Sequence, residues 1–225
     1  MNPSPSPAFD GTPAIPFRFH FVQDLATGSP VGLMIEHRQR FDDRVRFGEH
    51  GLLSSPHDVG APLWLAERIE RAAFTEALAP AECRPIHVPA PDAAFEHPDT
   101  PVACRAAVAR TPLLAQEFCI EFSDAAFSLA RGEATWIVRG FRRRGFRVGI
   151  DLTRSQAASL SPELRLMLDT VRVRAIDLDE ETVDAAVSQA RDSGISVIVD
   201  APRWRDSEAL IARGLTYALA PRADA

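Results

Sequence analysis

Two short apolar runs in the second half of the chain end in an acid. Gly145 to Arg154 contains a run that stops at Asp151, and the run that begins at Gly194 stops at Asp200. A third run, Val171 to Ile176, lies between them at comparable spacing, and helix-type sequence precedes or follows each. Apolar runs of this length alternating with helices read as parallel strands of a (βα) barrel, and such a barrel keeps its chemistry at the C-terminal strand ends. The carboxylates of Asp151 and Asp200 are therefore expected where a reaction would take place.

Several other chemistries are excluded by residue type. Every one of the 25 lysine-or-arginine positions is arginine. That rules out a Walker A phosphate loop, a Schiff-base lysine and a lysine general base. The sequence has no G-x-S-x-G elbow and no G-x-G-x-x-G loop. Its histidines (His20, His37, His50, His57, His87, His97) lack H-x-x-x-H or H-E-x-x-H spacing, which argues against zinc. Cys83, Cys104 and Cys119 are odd in number and widely spaced, so free thiols in a reducing cytoplasm are expected rather than a disulfide. Cys119 alternates with Phe118 and Ile120 and belongs with core packing rather than nucleophilic work.

The formal net charge of -6 gives the whole molecule no attraction for nucleic acid or anionic membrane. No apolar stretch approaches the ~18–20 residues needed to span a bilayer. Arg139, Arg142, Arg143, Arg144 and Arg147 gather at the end of a long helix, where macrodipole compensation on a solvated face accounts for them. No aromatic residues interleave with them to stack bases. Asp177 to Glu181 is acidic at a helix start, as capping and dipole pairing require.

The elements that would position the acids can be read in order. Phe17 to Gln23 alternates large apolar and polar side chains, Asp24 to Gly28 is a turn, and Pro30 to Glu36 is a second strand. The two are too close for a helical crossover and must form an antiparallel hairpin. His37 to Pro62 carries few signals. A helix is predicted from Leu63 to Leu78 with Leu63, Leu65, Ile69, Ala72 and Phe74 as its buried stripe. A third strand covers Pro85 to Pro89, and a helix runs from Thr100 to Ala109 with Pro101 in its first turn. The fourth strand is Glu117 to Phe122, after which Ser123 or Asp124 caps a long helix ending at Gly145. Strands at Phe146–Asp151, Val171–Ile176 and Ile195–Asp200 are followed by helices at Gln156–Leu168, Glu180–Ser193 and Asp206–Arg213. Leu215 to Leu219 is the eighth strand, enough to close a barrel. His20 and His87 fall on barrel strands and are expected inside, hydrogen-bonded near Glu121. Residues 1–16 read as a disordered, proline-rich lead with no secretory signal, and 17–225 as one barrel domain.

This order of elements resembles the EAL domain, the bacterial family that hydrolyses cyclic di-GMP. The similarity runs from about Phe17 to Pro221. Phe19 to Gly28 is similar to the family's opening strand and D-L-x-T-G, and Val31 to Arg38 to V-G-x-E-A-L-x-R. Ile120 to Asp124 resembles L-E-I-T-E, and Gly145 to Arg154 the segment leading into D-D-F-G. Asp169 to Val173 resembles D-x-I-K-I, and Gly194 to Arg203 the segment carrying A-E-G-V-E. The resemblance implies an α/β, TIM-like (βα) barrel of EAL type with its first strand antiparallel.

The departures from the pattern bear on function. Met34 stands where the family has a metal-binding glutamate, and a thioether does not replace a hard carboxylate on magnesium or manganese. His87 matches the third-strand asparagine, Leu152 the second aspartate of D-D-F-G, and Asp200 a glutamate. Arg172 matches the general-base lysine and stays protonated at any working pH. No glutamine stands on the last strand. Two-metal hydrolysis needs carboxylates bridging a cation pair. Of these only Glu121, Asp151 and Asp200 remain as vestigial acidic positions, enough for at most one weak cation. The expectation is a catalytically inactive, degenerate EAL-like domain with no catalytic residues, no bound metal and no cofactor. It would act in the cytoplasm as a regulatory protein-interaction module in bacterial signalling (motility, transcription or surface attachment), with an unidentified protein partner; a homodimer is allowed by the same analogy. A non-hydrolysing cyclic di-GMP receptor is the alternative. Arg38 is its nucleotide-binding candidate, opposed by the like charge of Glu36 beside a phosphate. A residual metal-dependent phosphodiesterase using Glu121, Asp151 and Asp200 is the second alternative.

Overall fold

A computed structural model describes residues 19–35, 60–76, 83–124, 131–153, 160–200 and 206–220. Strand β1 (Phe19–Asp24) turns back into β2 (Pro30–Ile35). Asp24 closes this turn: its Oδ1 accepts from the backbone N–H groups of Ala26 at 3.0 Å and Thr27 at 2.9 Å. Gly28 supplies the required left-handed residue at φ 71°. Then follow α1 (Ala61–Glu76), β3 (Ile86–Pro89), α2 (Thr100–Val108), β4 (Phe118–Ser123), α3 (Arg131–Arg143) and β5 (Arg147–Asp151). The chain continues through α4 (Pro162–Arg165), β6 (Thr170–Arg174), α5 (Glu181–Asp192), β7 (Ser196–Asp200), α6 (Ser207–Ala212) and β8 (Tyr217–Leu219).

The eight strands close in sequence order into one barrel. β1 is antiparallel to both of its neighbours, β2 and β8, and each successive pair from β2 to β8 is parallel. Strand alternation divides the apolar residues into two layers. Ile86, Phe118, Ile120, Phe122, Val148, Ile150, Val171 and Val197 face outward and pack in the main core with Leu65, Ile69, Ile137, Phe141, Val183 and Leu210 from the helices. Val22, Met34, Ile198 and Leu219 form a separate cluster drawn only from strands, the apolar part of the barrel interior.

Several predicted elements shift. The stripe of α1 is wrong at two positions, since Leu63 and Phe74 are 63% and 58% exposed. The buried face runs through Ala61, Trp64, Leu65, Ile69, Ala72 and Ala73 instead, the true three-and-four spacing. The helix predicted from Gln156 to Leu168 is described only as the short α4. Ser161 is extended (ψ 151°) because Pro162 disfavours a helical predecessor, and its Oγ caps the new start by accepting from the Leu164 N–H at 3.2 Å. The sixth strand stops at Arg174, and Ile176, predicted inside it, is 82% exposed in a 3₁₀ turn. Asp177 does not cap α5; it accepts hydrogen bonds from Arg174, one of them at 2.9 Å from Nη2. Glu180 is the N-cap residue, without a side-chain bond, while Glu181 and Asp184 supply the negative charge in the first turn. In the arginine cluster, Arg139 pairs with Glu163 and Arg142 with Asp169, so these charges tie α3 to the segments around β6. The three cysteines are buried thiols outside any disulfide. The proposed lead at residues 1–16 lies outside the described residues.

One interior position has no room for a side chain. Gly149 of β5 sits in register with Glu121 of β4 and Thr170 of β6. A Cβ there would lie 2.4 Å from Thr170 Oγ1, 3.3 Å from Glu121 Cγ and 3.4 Å from Cys119 Sγ. Gly149→Ala is expected to destabilise the fold by about 1–3 kcal/mol through overpacking. Thr170→Ala in the same molecule should recover part of the loss. Urea unfolding of the single and double variants measures the coupling, and strictly additive effects would contradict it.

Candidate functional site

Alternation along four strands aims the charged residues inward. In β4 the outward Phe118, Ile120 and Phe122 leave Glu121 on the interior face. In β5 the outward Val148 and Ile150 leave Gly149 and Asp151 inside. In β6 the outward Val171 and Val173 leave Thr170 and Arg172 inside. Asp200 ends β7 beside Arg174, one pleat nearer the mouth than Arg172.

Arg172 joins all three acids. Its Nε donates to Glu121 Oε2 at 3.0 Å, its Nη2 to Asp151 Oδ2 at 2.5 Å and its Nη1 to Asp200 Oδ2 at 2.9 Å. Glu121 lies two strands away and is reached across the interior over the missing side chain of Gly149. The second oxygens of Glu121 and Asp151 are also engaged. Glu121 Oε1 is 3.1 Å from His87 Nδ1, and Asp151 Oδ1 accepts from the Thr153 N–H at 2.8 Å and hydroxyl at 2.6 Å. Glu121, Asp151, Arg172 and His87 are buried; only Asp200, with 30% of its side chain exposed, reaches the mouth.

Burial and charge oppose each other here. Burial would raise the Glu121 carboxyl, but the Arg172 charge and the bonds from His87 and Arg172 outweigh it and hold the group below its ordinary value. An ionised Glu121 only accepts hydrogen bonds, so His87 Nδ1 carries the proton between them. Burial raises the Asp151 carboxyl above its usual range and the Glu121 charge adds to this; Arg172 and Thr153 offset only part. For Arg172, burial disfavours the charge, yet Glu121, Asp151 and Asp200 together hold the guanidinium protonated more firmly than in water. Burial likewise pushes the Cys119 thiol well up, with the Glu121 charge adding to it; its Sγ lies 3.5 Å from Thr170 Oγ1. That is a thiol in a packed interior, not a nucleophile.

The architecture matches solved structures. The barrel superposes on the EAL domain of Mycobacterium smegmatis DcpA with a TM-score of 0.68 at 13% identity, over 89% of this chain and 88% of that one. The fold is that of an EAL domain. The EAL-type barrel also matches PaMucR phosphodiesterase in complex with c-di-GMP, with a TM-score of 0.70 and 14% identity over 90% of this chain and 92% of that one. Vibrio cholerae LapD S helix-GGDEF-EAL bound to c-di-GMP matches with a TM-score of 0.68 and 14% identity, over 92% of this chain and 52% of that one. No protein-family model matches the sequence, and none of the curated proteins does.

On this EAL-type frame the predicted site residues divide clearly. Glu121, Asp151 and Asp200 come together, and the His87 expected beside Glu121 is bonded to it. His20 faces Met34 across the β1–β2 pair and is half-buried. Arg38 and Glu36 lie outside the described residues. The residue whose role sequence reasoning missed is Arg172, read there only as a base that had lost its function. A signal was available: strand parity turns Arg172 inward between two strands that end on inward acids. A divalent cation pair, which the EAL fold implies, does not fit this donor set. Both oxygens of Glu121, both of Asp151 and one of Asp200 are already taken by protein donors. Among the described residues, no helix is long and apolar enough to cross a membrane.

Two outcomes follow. Arg172→Met leaves Glu121 and its neighbours as buried, uncompensated carboxylates and should cost about 3–5 kcal/mol in denaturant unfolding; a loss below about 1 kcal/mol would contradict the network. The second outcome is acid sensitivity. Glu121 is held below its unfolded value near 4.5, so its contribution is complete above that pH and is lost as pH falls below it toward the folded value. Asp151, with a raised folded value, has the opposite sign and adds no such loss on acidification. Stability measured against pH should therefore fall less steeply below pH 4.5 in Glu121→Gln than in the unsubstituted protein. Identical slopes would remove Glu121 as the sensitive group.

Proposed function

We propose that this chain is a non-hydrolysing EAL-type barrel that acts by binding a regulatory protein partner in bacterial signalling. The observation that carries the reading is the triple bonding of Arg172. Phosphodiester hydrolysis of the two-metal kind needs carboxylate oxygens free to bridge cations and a water activated between them. Here the oxygens that would bridge are hydrogen-bonded to a guanidinium that does not give up its proton. A stable barrel relieved of catalysis keeps its mouth and loops for recognition. The same contacts weigh against a residual metal-dependent phosphodiesterase built on Glu121, Asp151 and Asp200.

A second reading, a cyclic di-GMP receptor that binds without cleaving, is favoured by one observation: the PaMucR and LapD structures that this barrel matches are both bound to c-di-GMP. Its phosphate contact would be Arg38. The first measurement is turnover of cyclic di-GMP by the purified protein with Mn²⁺. None is expected, and turnover above a metal-free control would contradict the proposal. Calorimetry with the same nucleotide then separates the two readings, because saturable heat weakened by Arg38→Ala would support the receptor and flat titrations the partner-binding module.

A further inference from the structure

We infer that copies of this chain associate head to tail, the N-terminal rim of one barrel docking on the C-terminal rim of the next. This goes beyond the functional reading and does not depend on it. Because β2 to β8 run parallel, strand starts and helix ends share one rim, while strand ends and helix starts share the other. Three neighbouring connections build the first surface; they lead into β4, β5 and β6, which are adjacent in the barrel. Leu114 is 60% exposed ahead of β4, and Leu166 is 86% exposed ahead of β6. Between these connections lie Arg143 at the end of α3 and Arg147 at the start of β5. Both are exposed, and among the described residues neither makes an ion pair or hydrogen bond. Glu117, Glu163 and Asp169 are already paired with Arg84, Arg139 and Arg142, so positive charge is in excess here. The three connections are held as one surface. A Cβ on Gly145 would sit 3.7 Å from Ala115 Cβ, and Asp169 Oδ2 accepts from the Val148 N–H at 2.8 Å.

The opposite rim carries the complement. Ile176 stands 82% exposed in the 3₁₀ turn after β6, and Glu180 and Glu181 follow it at the start of α5. Both glutamates are exposed, and among the described residues neither side chain is paired. The cations beside them are engaged elsewhere: Arg174 by Asp177, and Arg213 by Asp179 at 3.0 Å and Asp184 at 3.8 Å. Each rim thus presents exposed aliphatic side chains beside unpaired charge, and the two charges are of opposite sign. That is the complementarity that orients and favours a contact. A contact between two different surfaces is heterologous, so it does not stop at a two-fold pair. The surfaces are small, which makes the association weak and sensitive to salt.

The test is analytical sedimentation of the full chain alone, over a range of concentrations. In about 20 mM salt the weight-average mass should rise with concentration past that of a dimer, and in about 0.5 M salt it should return to the monomer. Arg143→Glu combined with Arg147→Glu should leave the chain monomeric, and so should Glu180→Arg combined with Glu181→Arg. Equal parts of these two proteins should associate again, because each acidic rim then meets a basic one. Leu166→Ser should weaken the association roughly fivefold to tenfold. All five positions are exposed, so each variant should melt within about 2 °C of the unsubstituted chain, which keeps a lost contact distinct from a lost fold. Head-to-tail association is overturned by an unsubstituted chain that stays monomeric at both salt levels or stops at a dimer, whatever the variants do. It is equally overturned by growth that survives either double substitution, or by a mixture that stays monomeric. None of these readouts involves nucleotide or a second protein, so turnover of cyclic di-GMP would sink the functional proposal without deciding this one.

Discussion

A guanidinium held by three carboxylates at the centre of a closed barrel is the constraint on which this molecule rests. Burying a carboxylate without a partner is costly, and burying two beside one another, with a third at the mouth, is worse. Arg172 makes the arrangement tolerable by delivering one charge through three separate nitrogens to Glu121, Asp151 and Asp200. Its neighbours are chosen to match. Gly149 leaves the space through which Glu121 reaches across β5, His87 takes the second oxygen of Glu121, and Thr153 takes the second oxygen of Asp151. The apolar part of the interior is small by comparison, a cluster of Val22, Met34, Ile198 and Leu219. The barrel interior is thus ordered by charge and hydrogen bonding on one side and by packing on the other.

Much of the fold was legible because it depends on local signals. The interval between β1 and β2 is too short for a crossover, which forces the antiparallel hairpin, and the later strands recur with helices between them at βα spacing. Glycine and proline marked boundaries where their backbone chemistry demanded one. Where the reading failed, a competing local effect had been overlooked. In α1 the positions two apart in Leu63 and Leu65 cannot share a helix face, so Trp64 and Ala61 take the buried stripe. Before α4, Pro162 imposes an extended Ser161 and a fresh helix start.

The site was legible residue by residue but not as an assembly. Parity along β4, β5, β6 and β7 is enough to turn Glu121, Asp151, Arg172 and Asp200 inward. Which of them meet is decided by barrel closure and strand register, a long-range property that no window of sequence contains. Arg172 illustrates the difference. Compared with a lysine general base it looks like a loss. Seen among the side chains it faces, it has gained three partners and a role as counter-charge.

The strand order and the antiparallel first strand are those of an EAL-type barrel, and inside it both oxygens of Glu121, both of Asp151 and one of Asp200 are engaged by the chain itself. Crystallography of the unsubstituted protein grown in Mn²⁺, with anomalous scattering to locate ions, tests this most directly. The Arg172 guanidinium should remain between Glu121, Asp151 and Asp200 with no manganese beside them; paired ions next to Asp151, with Arg172 turned away, would contradict that arrangement.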